Sequence, residues 1–357
     1  MPMTLCSTMR VLASLVVLSI IGGCSSPPQR MEMFPGATIE DQQRVWPGPP
    51  QVPRYRYAGQ LLGEVNFERA SGSVSAGERA LRWIVGAGRR TGETQMLVRP
   101  QGGMVDAVGR ILVTDVGRQA VFVFDPDAGL SVWDQADGGE NFVSPLGITA
   151  GPSDEIYVAD SELARIVRLD VKGSPIGSFG EGIVGRPTGL VRDALTGRTY
   201  VADTAEHNIK VFDETRRLVG TIGVRGVSPG QFNAPTFLAL REHQLVVSDT
   251  LNARVQVLSE EGEAQLVVGE RGLYVGNLTR PKGVAIDDGG RIYVAESFYD
   301  YLLIFDVDGR LLLPIGGSGS SPGQFFLPGG IWTDAGNRIF VADVFNSRVV
   351  IFQYLGD

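Results

Sequence analysis

One short pattern, an apolar strand that ends on a carboxylate, recurs along this chain at a nearly fixed distance. It reads "EIYVAD" at 155–160, "RTYVAD" at 198–203, "RIYVAE" at 291–296 and "RIFVAD" at 338–343. Aligning the closing acids gives Asp115, Asp160, Asp203, Asp249, Glu296 and Asp343, spaced 45, 43, 46, 47 and 47 residues apart. A period of that size means that one supersecondary unit is built repeatedly and stacked on its neighbours. Each unit opens on a proline (Pro100, Pro145, Pro187, Pro235, Pro281, Pro328) and runs through a short apolar strand to a Gly or Asp turn. The carboxylate strand follows, then a third strand such as "NIKVFD" or "YLLIFD", and a fourth that ends near glycine.

Four strands in about 45 residues match one blade of a propeller, so the chain is expected to be all-β, a six-bladed β-propeller of four-stranded blades. Composition agrees: 43% hydrophobic residues supply a core, and 47 glycines serve many tight turns. Segments such as "IYVA" are apolar at consecutive positions, as expected where both faces of a sheet are covered by neighbouring blades. The sixth unit stops after its third strand, at "RVVIFQYL". The segment "ALRWIVGAG" (80–88) resembles the fourth strands "RLVGTIGVRG" and "RLLLPIGGSG" and is predicted to complete that last blade, which removes the edges of an open array.

Residues 1–23 read as a signal sequence: Arg10, an apolar run, then small residues before a cysteine. The ending "IGGC" resembles the lipobox of bacterial lipoproteins, which implies cleavage before Cys24 and lipidation of its thiol, with the membrane reached through that anchor only. Ser25 stands where an inner-membrane retention signal shows Asp, so the resemblance implies the outer membrane of a bacterial cell envelope. Residues 24–53, with seven prolines, read as a tether, and 54–357 as the propeller. Cys6 falls in the removed segment, which leaves no disulfide. The mature chain has 31 basic and 40 acidic residues, a net charge of −9, without the basic footprint that nucleic acid requires.

The units are similar to NHL repeats over residues 80–355. "SPGQFNAP" and "SPGQFFLP" resemble the family's lead-in, and "VSDTLNARVQV" and "VADVFNSRVVIF" its loop and third strand. The resemblance implies the propeller fold. The family and related propellers span binding modules, sensor domains, an amidating lyase and lactonases, so fold does not select a function among them.

The six carboxylates are expected to accept backbone N–H bonds in their loops, with Arg165, Arg254 and Arg348 bracing the same loops. Strand parity puts the loops between second and third strands on one face with the lead-ins to each blade. On that face Arg99, Arg186 and Arg280 precede the opening prolines of alternate blades, an arrangement suited to a carboxylate or phosphate. Blade five adds Lys282 and the aromatics Tyr274, Phe298, Tyr299 and Tyr301 as candidate ligand contacts, while Trp332 reads as core. His207 and His243, on different blades, cannot assemble a zinc site, and no nucleophile–base pair is evident. The sequence therefore points to an envelope scaffold that binds another envelope protein or a polysaccharide and needs no cofactor. The alternative is a calcium-dependent, lactonase-like hydrolase with its site in the central channel.

Overall fold

In the computed structural model, residues 30–68 and 94–356 are described. They form six sheets arranged as the blades of a ring and one two-stranded sheet, Arg30–Met31 with Phe67–Glu68. The innermost strands are Pro100–Val105, Pro145–Ala150, Pro187–Arg192, Pro235–Arg241, Pro281–Ile286 and Pro328–Thr333, each opening on the expected proline. Each packs beside the innermost strand of the next blade, and the last packs beside the first, which closes the ring. In every blade the opening proline lies opposite the carboxylate that ends the second strand, as in Pro100 with Asp115 and Pro328 with Asp343. That register fixes the two faces. Lead-ins and second-to-third-strand loops share an upper face; the hairpins joining first to second strands lie on the lower one.

The apolar runs are explained by where the second strands sit. Ile111–Asp115, Ile156–Asp160, Thr199–Asp203 and Ile292–Glu296 are buried at every position. Their side chains enter a separate apolar cluster in each gap between blades, with Tyr157, Tyr200, Tyr293 and Phe340 at equivalent places. Trp332 is buried and stacks on Phe340 at 5.3 Å, in space that Gly103 leaves open. Threonine hydroxyls then tie blade to blade. Thr114 donates to the Leu146 carbonyl, Thr204 to that of Pro235, and Thr250 to that of Pro281.

The ring closes through the N-terminal part of the chain, but with other residues than the sequence suggested. The fourth strand of the last blade is Tyr55–Leu61, paired antiparallel with Arg348–Tyr354. The segment 80–88, assigned to that position from its likeness to other fourth strands, lies outside the described residues. "YRYAGQL" suits the position because it alternates: Tyr55, Tyr57, Gly59 and Leu61 are buried and Arg56 is exposed. Tyr55 meets Tyr354 and Tyr293 at ring distances of 5.3 and 6.3 Å. Val45–Trp46 adds a short fifth strand outside it.

From Arg30 onward the stretch read as a tether lies along this blade. Phe34 packs on Tyr57 at 5.7 Å and Trp46 on Phe352 at 5.3 Å, both edge to face. These aromatics are why the segment docks where a purely Pro-rich spacer would stay in solvent. Gly59, at φ +129, lets the Met33 backbone pass directly over the strand, since a Cβ there would collide with the Met33 carbonyl. Asn66, fully buried, locks the crossing. It accepts from the amides of Leu62 and Gly63 and donates to the carbonyls of Glu32 and Gln60. Asn66→Ala orphans those backbone groups and is expected to lower the stability by about 2–4 kcal/mol, read from the midpoint of denaturant unfolding.

Candidate functional site

The six repeated carboxylates are buried and committed to the backbone. Asp115 accepts from the amides of Val98, Arg99 and Arg118; Asp160 from Val143, Ser144, Glu162 and Leu163; Asp203 from Gly185, Arg186 and Glu206. Glu296 does the same with Thr279, Arg280 and Phe298, and burial still pushes its carboxyl above the ordinary value against those donors. Each acid thus staples the lead-in of its own blade as well as the turn that follows it.

Blades four and six use a second design, the one that carries "DTLNAR" and "DVFNSR". Asp249 accepts one amide, from Asn233, and the side chains of Asn252 and Arg254; Asp343 accepts from Phe326, Asn346 and Arg348. Arg254 and Arg348 brace the lead-ins as expected, through the carbonyls of Val227, Ser228 and Gln231 and of Ser321 and Gln324. Arg165 reaches Glu140 and the Asp137 carbonyl. Here the residue before the opening proline, Ala234 or Leu327, has φ of +55 or +53. Its amide turns to the preceding blade, to His207 Nδ1 and Asp300 Oδ1 respectively. His207 is therefore a structural acceptor, and His243 pairs with Glu260 on the surface. Among the described residues no group of three or more His, Cys, Asp or Glu side chains could hold a metal ion.

The channel itself is stopped. The third residue of the inner strand is glycine in five blades (Gly102, Gly147, Gly189, Gly283, Gly330) and phenylalanine in blade four, Phe237. Its ring crosses toward blades one and six, where a Cβ on Gly102 or Gly330 would meet it. Sequence reasoning passed over this residue. The signal was available: five "P-x-G" openings against a single "PTF".

On the upper face Arg99, Arg186 and Arg280 are exposed on alternate blades. Arg186 faces Glu162 at 3.8 Å, with both side chains more than half exposed, a pair worth little in water. Among the described residues Arg99 and Arg280 make no ion pair. Lys282 is half-buried at the mouth, its amine pushed below the usual lysine value by burial and by Arg280. Tyr299 donates to the Gly272 carbonyl at 3.4 Å and meets Phe298 edge-on, while Tyr301 packs against the core between blades four and five. Tyr274 projects into solvent from the lead-in of blade five.

A second signal went unread. Two residues after the ring carboxylate, blades one to three carry Gly117, Glu162 and Ala205, whereas blades four to six carry Leu251, Phe298 and Phe345. These three are 54%, 55% and 56% exposed, and Phe326 packs edge-on to Phe345 at 5.5 Å. They make an apolar crescent over half of the ring.

The lower face holds a cleft of about 750 Å³ between blades five, six and one, lined by Asp106, Asp288, Tyr293, Asn337, Arg338 and Tyr354 among others. Its acids Asp106, Asp287 and Asp334 are tied to Arg110, Arg291 and Arg338, four residues on in each case.

A family described as a 6-bladed beta-propeller matches residues 277–356. Among curated proteins the chain is 26% identical over 214 residues to Protein SUPPRESSOR OF QUENCHING 1, chloroplastic, of Arabidopsis thaliana, covering 48% of this chain and 20% of that protein. It is 29% identical over 156 residues to Protein brain tumor of Drosophila melanogaster, covering 42% of this chain and 14% of that one. The chain thus spans a fifth or less of the length of these relatives. Among solved structures, a virginiamycin B lyase of Staphylococcus aureus with quinupristin aligns at TM-score 0.54 and 11% identity, covering 72% of this chain and 95% of that one. A gluconolactonase of Xanthomonas campestris aligns at TM-score 0.55 and 16% identity, covering 72% and 87%. At such identities the likeness shows the six-bladed fold alone.

Proposed function

We propose that this chain is an NHL-type propeller, anchored to the bacterial envelope through a lipid on Cys24, that docks another envelope protein on its upper face. The observation that carries this reading is the crescent of Leu251, Phe298 and Phe345. Large apolar side chains stand exposed at one repeat position in three consecutive blades, and small or charged ones occupy it in the other three. Grouped exposed apolar residues with a polar rim are the mark of a protein interface. The rim here is cationic, with Arg99, Arg186 and Arg280, which suits a partner surface that carries carboxylates. Tyr274 extends the patch outward from blade five. A hydrolase in the channel is disfavoured because the ring acids already accept backbone amides and Phe237 occupies the lumen.

The test is co-purification from detergent-solubilised membranes. The wild type is expected to retain a defined protein partner, and Leu251→Ser, Phe298→Ser and Phe345→Ser combined to lose it by more than about ten-fold, with the melting temperature within a few degrees, since surface changes move stability little. Cys24→Ser is expected to release the chain from the membrane fraction and leave the partner interaction intact. Retention of the partner by the triple variant, or recovery of polysaccharide in its place, overturns the reading.

A further inference from the structure

We propose that the upper mouth of the channel is a binding site for one compact anionic group, a carboxylate or a phosphate, seated on Lys282 and floored by the ring of Phe237. The position is set by the inner strands. Lys282 follows the opening proline of blade five, one residue nearer the upper face than the level at which Phe237 of the adjoining blade crosses the lumen. The two strands are in direct contact, with the Thr236 hydroxyl donating to the Lys282 carbonyl at 3.3 Å. Above the phenyl ring the channel is therefore a cup closed from below by that side chain.

Among the described residues no acid balances the charge in the cup. The same position in the other blades carries Gln101, Leu146, Thr188, Thr236 and Gly329, so blade five alone places a cation there. Among the described residues no hydrogen bond or ion pair reaches the Lys282 amine, and the charged neighbour acting on it is Arg280, a second cation. On the ring Lys282 stands between Thr236 of blade four, whose hydroxyl donates to the Lys282 carbonyl, and Gly329 of blade six, which has no side chain to offer. A half-buried ammonium beside a guanidinium, with no acid, is unfavourable in the empty state and is relieved by an anion. The choice of residue points the same way. The chain has 32 basic residues, of which Lys172, Lys210 and Lys282 are the lysines and the other 29 are arginines. A compact, three-donor ammonium fits one small anion at the bottom of a cup better than a long planar fork. The docking reading is not needed for this inference, which concerns a small ligand and can be tested without any partner.

Three lysines make a direct test practical. Reductive methylation with ¹³C-formaldehyde labels each of them, and the signal lost in Lys282→Met identifies the one in the cup. That signal is expected to titrate below the other two and to move to higher pH as inorganic phosphate or acetate is added, because an anion favours the charged amine. Response to phosphate alone or acetate alone tells which group the cup takes; response to either supports the site. Lys282→Met is expected to weaken the better anion by at least about ten-fold, and Lys282→Arg to weaken it by a smaller factor, because it keeps the charge and loses the compact ammonium, with melting curves showing that both variants are folded. Unchanged anion affinity in folded Lys282→Met, or no movement of the Lys282 signal with either anion, overturns the proposal.

Discussion

Deleting residues 54–61 is expected to leave a chain that aggregates or melts far below the wild type. The deletion removes the strand that pairs with Arg348–Tyr354 and takes with it Tyr55, Tyr57 and Leu61, all nearly or fully buried. Burial of one such side chain contributes roughly 1.5–3 kcal/mol, so the three together approach the whole net stability of an ordinary domain, about 5–15 kcal/mol. The loss is also topological. The last blade would present Arg348–Tyr354 as a bare edge over a length of seven residues, ready to pair with another chain. Thermal unfolding and light scattering of the purified protein measure both effects. Deleting 80–88 alone is the control that separates the two candidates for the closing strand. It should shift the midpoint far less, because Tyr55–Leu61 already fill the place; an equal collapse would return the role to 80–88.

That pair of candidates shows where sequence reading works and where it stops. The period of the carboxylates and the opening prolines fixed six units, the pairing of first and second strands and the two faces, since each is a local pattern repeated six times. The closing strand is not a repeat of anything. It is chosen by what it buries against Tyr293, Tyr354 and the Phe34 segment, and its clue was alternation in "YRYAGQL" and not likeness to other fourth strands. The site was legible to a similar degree. The position before proline holds an exposed arginine in blades one, three and five, but the same position in blades four and six is a left-handed Ala234 or Leu327 whose amide reaches into the neighbouring blade, a choice that no local rule announces. Departures from the repeat carried more than the repeat itself. Phe237 among five glycines, and three large apolar residues facing three small or charged ones, are what distinguish this ring from a symmetric one.

Asp343→Ala is expected to destabilise the protein by about 3–5 kcal/mol, because it strands a buried cation. Arg348 is 6% exposed, and its Nε lies 2.8 Å from the Asp343 carboxylate. Without that acid the guanidinium keeps contacts to Gln60, Ser321 and Gln324 but loses its countercharge, and the Phe326 amide and Asn346 side chain lose their acceptor. The Arg348–Gln60 contact also reaches the closing strand, so the lesion should loosen the ring at its seam. Asp203→Ala is the instructive comparison. That acid holds the amides of Gly185, Arg186 and Glu206 and no buried cation, so a smaller cost of about 1–3 kcal/mol in all is expected, since these amides are part-buried and water can take the place of the lost acceptor. Replacing Arg348 by Met in the Asp343→Ala background should recover part of the loss, since the double change removes the unpaired charge. Calcium and chelator are expected to leave the unfolding midpoint of the wild type unchanged, because these oxygens already accept protein donors. A midpoint that rises with calcium and falls with chelator, and does neither in Asp343→Ala, would show instead that the carboxylate ring holds a cation and that its backbone bonds are secondary.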